Sequence, residues 1–438
     1  MKNPAWYAER EQLFSKKELL PLTVPIQSLE ERDRRWAALR EKMHLHALDA
    51  LVLAGTDFNA SMGMANIRYV TQIGTMLGAY VVFPRVGDPT VFYGAPHMHL
   101  PGPWQQVPGH WVEDVRPMNG VQGVLDVLAQ HGLGEGRLGY VGYRDMLVPE
   151  TQIPAFFLDQ LRRDLPRATL TDATPLLDEM RSVKSDEEIR FLRRAGEIAR
   201  KRIQRLAVTA REGATEADVW AAMEHEMIVN GGEPSSFTML SSGPVTGPDG
   251  ERYVAGLLHG AEVPFTATMR RLTEGDLIVC EFHTSYGGYL AATEFSVFLG
   301  EAPPELHRLH QAGVHVIRMA RDLFVPGRPL REIYTAFHDY AAGEGIDFVE
   351  LGFHGHGLSS PEFPAVVYRE TEGQLLNRRG LGDVRLRENM VFGLNVDLHD
   401  PLWRKDVGLM IGDMVRVTPD GAEYLCDIPL DLFEVPAR

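Results

Sequence analysis

Cysteine is nearly absent from this chain: Cys280 and Cys426 are the only two in 438 residues. Two thiols cannot build a disulfide scaffold, so a reducing, cytoplasmic location is the expectation. No run of about 18 apolar residues occurs, which leaves no candidate membrane span. The stretch from Met1 to Leu20 is polar and charged and lacks the apolar core of a signal peptide. Positive charge is in short supply, with 44 Lys and Arg against 60 Asp and Glu and a formal net charge of −16. Phosphate backbones would be repelled, so nucleic acid is not an expected partner. A few local Arg and His side chains can still draw an anion into a pocket. The turn-rich Gly243-Pro-Val-Thr-Gly-Pro-Asp-Gly lacks a phosphate-loop Lys-Ser/Thr, and nucleotide binding has no support. There is no repeat at solenoid spacing and no low-complexity tract.

What is present is a globular balance, 44% hydrophobic and 24% charged, in a chain too long for one ordinary core. Two domains are expected, residues 1–178 and 179–438, with the boundary between Asp172 and Ser182. In the first, an amphipathic helix (Ser28 to Leu45) precedes a buried strand from Ala47. A hairpin pairs Tyr80–Pro84 with Thr90–Tyr93, and a helix (Val121 to His131) leads to a strand at Leu138. Alternating strands and helices indicate an α/β domain with a mixed sheet. In the second, Ser185 and Glu188 form a capping-box pattern ahead of a long helix, and a helix from Glu216 to Asn230 follows. Strands are then expected at Leu277–His283, Gly288–Leu299, Phe353–Gly357 and Met390–Leu398, with a closing hairpin from Val415. Helices at Leu306–Leu323 and Leu330–Gly343 would pack on one curved antiparallel sheet.

Three of these strands carry polar residues two apart, which places them on a common face. They are Glu281 with His283, His354 with His356, and Asn395 with Asp397 and His399. Strand interiors favour β-branched and aromatic residues, and buried charge is costly unless paired. Three strands bearing that cost together indicate one shared polar pocket, flanked by Val279, Phe282, Phe353 and Leu394.

The sequence also resembles the creatinase/prolidase/aminopeptidase P family. The resemblance rests on Arg181-Ser-Val-Lys-Ser-Asp-Glu-Glu-Ile, Arg193-Arg-Ala-Gly-Glu-Ile-Ala, Gly275-Asp-Leu-Ile-Val, Gly288-Tyr, Gly355-His-Gly and Met390-Val-Phe, in that order. Asn66-Ile-Arg-Tyr-Val-Thr fits as well, so nearly the whole chain is covered. It implies a two-domain α/β protein with a smaller N-terminal α/β domain, a C-terminal pita-bread domain and a homodimer. The family's metallopeptidases hold two metal ions with two Asp, one His and two Glu. By that resemblance Glu281 and Ala292 stand at the Asp positions, His356 at the His, and Asn395 and Gly412 at the two Glu. Divalent ions at such a site need several carboxylates, so a standard dinuclear centre is not expected.

The metal-free branch, creatinase and ectoine hydrolase, is the better likeness. Glu294 fits creatinase's substrate-binding Glu, and Arg369 in Tyr368-Arg369-Glu370 fits its carboxylate-binding Arg, an ideal fork for bidentate contact. Ectoine hydrolase-like members resemble the chain in having Glu at the Glu281 position. A creatinase-like hydrolase is expected, cleaving a C–N bond in a small carboxylate-bearing molecule without a cofactor. His259 or His356 would move the proton, with Glu281 beside them. Glu294, Arg369, Asn395, His354 and Tyr289 would bind substrate. Two other readings stay open. A single Zn or Fe ion on His283, His354, His356, Asp397 and His399 would make a metal-dependent hydrolase or lyase, and a binder could have kept the fold and lost the chemistry.

Overall fold

The computed structural model describes residues 24–56, 62–74, 78–94, 111–144, 150–234, 237–246, 252–253, 267–368, 380–400, 402 and 408–436. His259 and Arg369 lie outside the described residues. The chain divides into two compact units, Met1–Arg181 and Ser182–Arg438. Among the described residues no helix is long and apolar enough to cross a membrane.

The first unit is built on a six-stranded mixed sheet. Helix α1 (Leu29–Leu45) starts where the Ser28 hydroxyl accepts from Glu31 N–H at 3.1 Å, satisfying an orphan donor of the first turn. Its Trp36, Leu39 and Met43 are buried. Strand β1 (Ala50–Gly55) is an unbroken apolar run, and it lies in the sheet interior between β2 (Ala79–Pro84) and β5 (Arg137–Val141). It pairs antiparallel with the first and parallel with the second. Such two-sided burial is why the run does not alternate. Helix α2 (Met62–Thr71), β3 (Thr90–Tyr93), β4 (Asp114–Pro117), α3 (Gly120–Gln130), α4 (Ala155–Asp164), β6 (Thr169–Asp172) and α5 (Thr174–Ser182) complete the unit. The sheet order is β4-β3-β2-β1-β5-β6, with α3 and Phe157 and Leu161 of α4 packed into its core. The expected hairpin is present as β2 and β3.

The second unit begins with α6 (Asp186–Thr209), whose Ser185–Glu188 capping box is formed in full, and α7 (Glu216–Val229). Strands β7 (Thr238–Gly243), the short pair β8 (Val245–Thr246) and β9 (Arg252–Tyr253), β10 (Leu277–Tyr286) and β11 (Tyr289–Leu299) follow. After α8 (Pro304–Leu323) and α9 (Leu330–Glu344) come β12 (Asp347–Gly355), β13 (Glu362–Tyr368), β14 (Val391–His399), β15 (Gly408–Met410), β16 (Met414–Thr418), β17 (Gly421–Tyr424) and β18 (Phe433–Val435).

The single curved sheet expected here is two sheets. One has the order β18-β11-β10-β7, and the other β13-β12-β14-β16-β17 with β15 also on β14. One pairing, β11 with β18, is parallel. The sheets are stitched by an isolated bridge between Glu294 and Gly412, with N–H···O distances of 3.2 and 3.0 Å. That bridge brings the polar faces of the two sheets together.

Candidate active site

The hairpin of β10 and β11 turns at Gly287 and Gly288, both at positive φ, which a two-residue primed turn requires. Its register sets Glu281 directly opposite Glu294 and His283 opposite Ala292. Directly opposed acids repel, so this register carries a cost that an ordinary hairpin would avoid. The strand is anchored by the fully buried Arg202 of α6. Its guanidinium donates to the His283 carbonyl at 2.7 Å, Thr284 Oγ1 at 3.0 Å and Glu224 Oε1 at 2.6 Å, and lies over the Phe282 ring.

On the other sheet, β12 and β14 set Glu350 opposite Asp397, Gly352 opposite Asn395 and His354 opposite Gly393. Asn395 Nδ2 donates to Glu350 Oε2 at 2.9 Å, and its carboxamide also bonds the His354 imidazole. Glu350 is a functional candidate that the sequence reading missed. The strand was expected to start at Phe353 but starts at Asp347. Extending the alternation from His354 back through Gly352 would have exposed it.

Glu294 joins the two groups. Its Oε2 accepts from Val396 N–H at 3.0 Å, and the side chain lies over Gly412. A Cβ at residue 412 would collide with the Leu394 carbonyl and stand 2.8 Å from Glu294 Oε2. The space at Gly412 is therefore filled by a carboxylate from another strand.

Four carboxyls thus meet. Burial first, then Glu350, pushes Glu281 up to about 8. Burial and acidic neighbours likewise push Glu294 and Asp397 well above the ordinary carboxylate range. Against burial, the Val396 N–H bond stabilises the charged form of Glu294.

Three imidazoles lie alongside. The His354 and His356 rings are 4.5 Å apart and those of His283 and His356 5.8 Å apart. His283 stacks on Phe237 at 4.5 Å. Burial lowers His283 to about 3 and His354 to about 4, and pushes His356 well below its usual value. All three rings are neutral at pH 7. His356 is fully buried against Gly393, where a Cβ would stand 2.5 Å from Nε2. Ser360 Oγ lies 3.3 Å from that nitrogen. The turn carrying Ser360 is held by Glu362, which accepts from Ser359 N–H at 3.2 Å and pairs with the buried Lys184 ammonium at 3.1 Å.

Two expected site residues stand elsewhere. Tyr289 falls on the opposite face of β11 from Glu294, because five residues is an odd step along a strand. Its hydroxyl donates to Glu188 Oε1 at 3.0 Å and its ring contacts Phe191 of α6, so it is a packing residue rather than a substrate contact. His399 lies at the end of β14 with Nε2 3.4 Å from Asp347, apart from the clustered imidazoles. Strand alternation gave it the right face but not the right depth.

A dinuclear centre of the kind implied for the family's peptidases does not fit. Of its five positions, Ala292 and Gly412 offer no ligand atom, and the Asn395 carboxamide is engaged by Glu350 and His354. Among the described residues the group with one ligand atom each inside a 4.8 Å span is Glu294, Glu350 and Asp397.

Comparison with known proteins places this arrangement. The Creatinase/Prolidase N-terminal domain matches residues 35–183, and Metallopeptidase family M24 matches residues 190–419. The Xaa-Pro dipeptidase of Pyrococcus horikoshii is 26% identical over 280 residues, covering 63% of this chain and 71% of that one. The ectoine hydrolase of Halomonas elongata is also 26% identical, over 340 residues covering 74% and 77%. Two solved structures share the fold. The prolidase from Pyrococcus horikoshii has a TM-score of 0.69 at 20% identity, over 91% of this chain and 99% of its own. The X-Pro aminopeptidase from Thermotoga maritima has a TM-score of 0.71 at 18% identity, over the same shares. The N-terminal creatinase/prolidase domain and the C-terminal pita-bread domain are both present. The second match runs through every strand that carries the clustered acids and imidazoles, and on that span, more than half of the sequence, the chain belongs to metallopeptidase family M24.

Proposed function

We propose that this chain is a creatinase-like hydrolase. It cleaves a C–N bond in a small carboxylate-bearing molecule and does so without the dinuclear centre of the family's peptidases. The observation that carries this reading is the occupation of the Gly412 space by Glu294, which closes one peptidase ligand position while Ala292 and Asn395 vacate two more. Similarity to an ectoine hydrolase over 340 residues supports it.

In this reading His356 is the proton acceptor. Burial keeps its imidazole neutral, so it takes a proton from water as the oxygen attacks the carbon of the C–N bond. Glu281, kept protonated to about pH 8 by burial, stands as the partner that returns a proton to the leaving nitrogen. Burial thus sets the starting protonation states, a proton on Glu281 and none on the His356 ring. Arg369, His259 as a second base and a homodimer are part of the proposal on the family resemblance alone, and a cytoplasmic location on the scarcity of cysteine.

The test is a product assay with purified protein on ectoines, guanidino acids, betaines and short amides, beside Xaa-Pro dipeptides. Turnover in the first group, lost in His356→Ala, is the expected result. Turnover of Xaa-Pro dipeptides alone, rising with two bound metal equivalents, would overturn the proposal.

A further inference from the structure

We infer that Glu294, Glu350 and Asp397 form a binding site for one hard divalent cation, at positions other than the family's metal ligands. None of the three stands where the peptidases place a ligand; they come from β11, β12 and β14. Each offers an oxygen, and the three lie within 4.8 Å of one another. That span suits an ion with metal–oxygen distances of about 2.0–2.4 Å, since two ligands on opposite sides of it are then about 4–4.8 Å apart.

The second observation is at the level of single atoms. Glu294 Oε1 and Asp397 Oδ1 are buried without a hydrogen-bond donor among the described residues, in side chains only 2% and 6% exposed. Glu294 already uses Oε2 on Val396 N–H, so Oε1 is the oxygen left over. Buried acceptors of this kind are costly unless something satisfies them. Asn395 supplies one donor to Glu350, which orients that carboxylate and leaves its charge in place. A divalent ion satisfies both orphan oxygens at once and offsets the mutual repulsion of the carboxylates.

The ligand type selects the ion. Three carboxylates without sulfur make an oxygen site, suited to Mn²⁺, Mg²⁺ or Ca²⁺ rather than to the Zn or Fe of an imidazole cluster. Three protein ligands leave open positions on a six-coordinate ion for water or for the acid end of a ligand. The inference concerns the same pocket as the proposed hydrolase but does not depend on which bond is cleaved.

The experiment uses the full chain, stripped with chelator and dialysed, titrated with Mn²⁺ alone and followed by the loss of the free-ion electron paramagnetic resonance signal. One equivalent bound per chain, weakened at least tenfold in both Glu350→Gln and Asp397→Asn, is expected. Zero equivalents on the wild-type protein overturns the inference whether or not the variants fold. Two equivalents, or one equivalent undiminished in both variants, overturns it as well. Hydrolysis of the small-molecule panel by protein that binds no Mn²⁺ would sink this inference and leave the proposed function standing. One bound Mn²⁺ in a protein that turns over none of the panel would do the reverse.

Discussion

Replacing Gly393 by alanine tests whether the backbone of β14 sets the position of His356. The added Cβ would lie 2.5 Å from Nε2 and 2.7 Å from Cδ2, where ordinary contact begins at 3.4 Å, so ring or strand must yield by about 0.9 Å. All three of the nearest atoms belong to the His356 ring, and the third is already at 3.6 Å. Overpacking of this size costs about 1–3 kcal/mol. For a unit of this size that is a fall in Tm of roughly 2–12 °C. A 1 Å displacement of a reacting group also costs on the order of 100-fold in turnover. The clean assay is a double-mutant cycle by denaturant titration, with Gly393→Ala, His356→Ala and the pair. Removing the ring removes the collision, so the pair should be less destabilised than the sum of the singles by at least about 1 kcal/mol. Strict additivity, or a Gly393→Ala protein with wild-type stability, would refute the reasoning.

Three further outcomes follow from other contacts. Lys184→Met takes the ammonium away from the buried Glu362 carboxylate, which should cost about 3–5 kcal/mol. Adding Glu362→Gln should recover a large part, and denaturant titration that finds the double variant no better than the single would count against a buried ion pair. Arg202→Met should cost a similar amount, about 3–5 kcal/mol, because it strips the His283 carbonyl, Thr284 and Glu224 of their shared donor; a loss under about 1 kcal/mol by the same measurement would show the anchor to be idle. His310, away from the acidic cluster, is lowered to about 4 by burial first and then by His307, with Asp431 pulling the other way. Between its unfolded value near 6.5 and 4 the unfolded chain binds more protons, so stability is full above the window and falls as pH drops through it. The loss is on the order of 3 kcal/mol. It should shrink in His310→Phe, and an unchanged acid limb of the stability curve would contradict this.

Much of the fold was legible because local chemistry and tertiary packing agree. The Ser185–Glu188 capping box, the buried run of β1 and the hairpin of β2 and β3 each appear where the pattern put them. The gathering of Glu281, His283, His354, His356, Asn395 and Asp397 was legible too, since polar residues on strand interiors are costly and noticeable. What failed was depth and side. Tyr289 looked like a pocket residue from its motif, but its odd spacing from Glu294 turns it to α6. Glu350 was hidden because Asp347-Phe-Val-Glu does not read as strand until it pairs with β14. The second sheet was invisible for a related reason: the Glu294–Gly412 bridge is one contact between residues 118 positions apart, and nothing in either segment signals it.

That bridge bears on whether a peptidase ligand set could be rebuilt in this chain. With Glu294 lying over residue 412, any side chain regained there meets both the Leu394 carbonyl and a carboxylate already in place. Returning the peptidase glutamate at 412 would also add a fifth carboxyl to the four already gathered there. A glutamate installed at 412 alone therefore lacks room while Glu294 lies over that position. Rebuilding a peptidase ligand set in this chain means changing residue 412 together with Glu294 of β11.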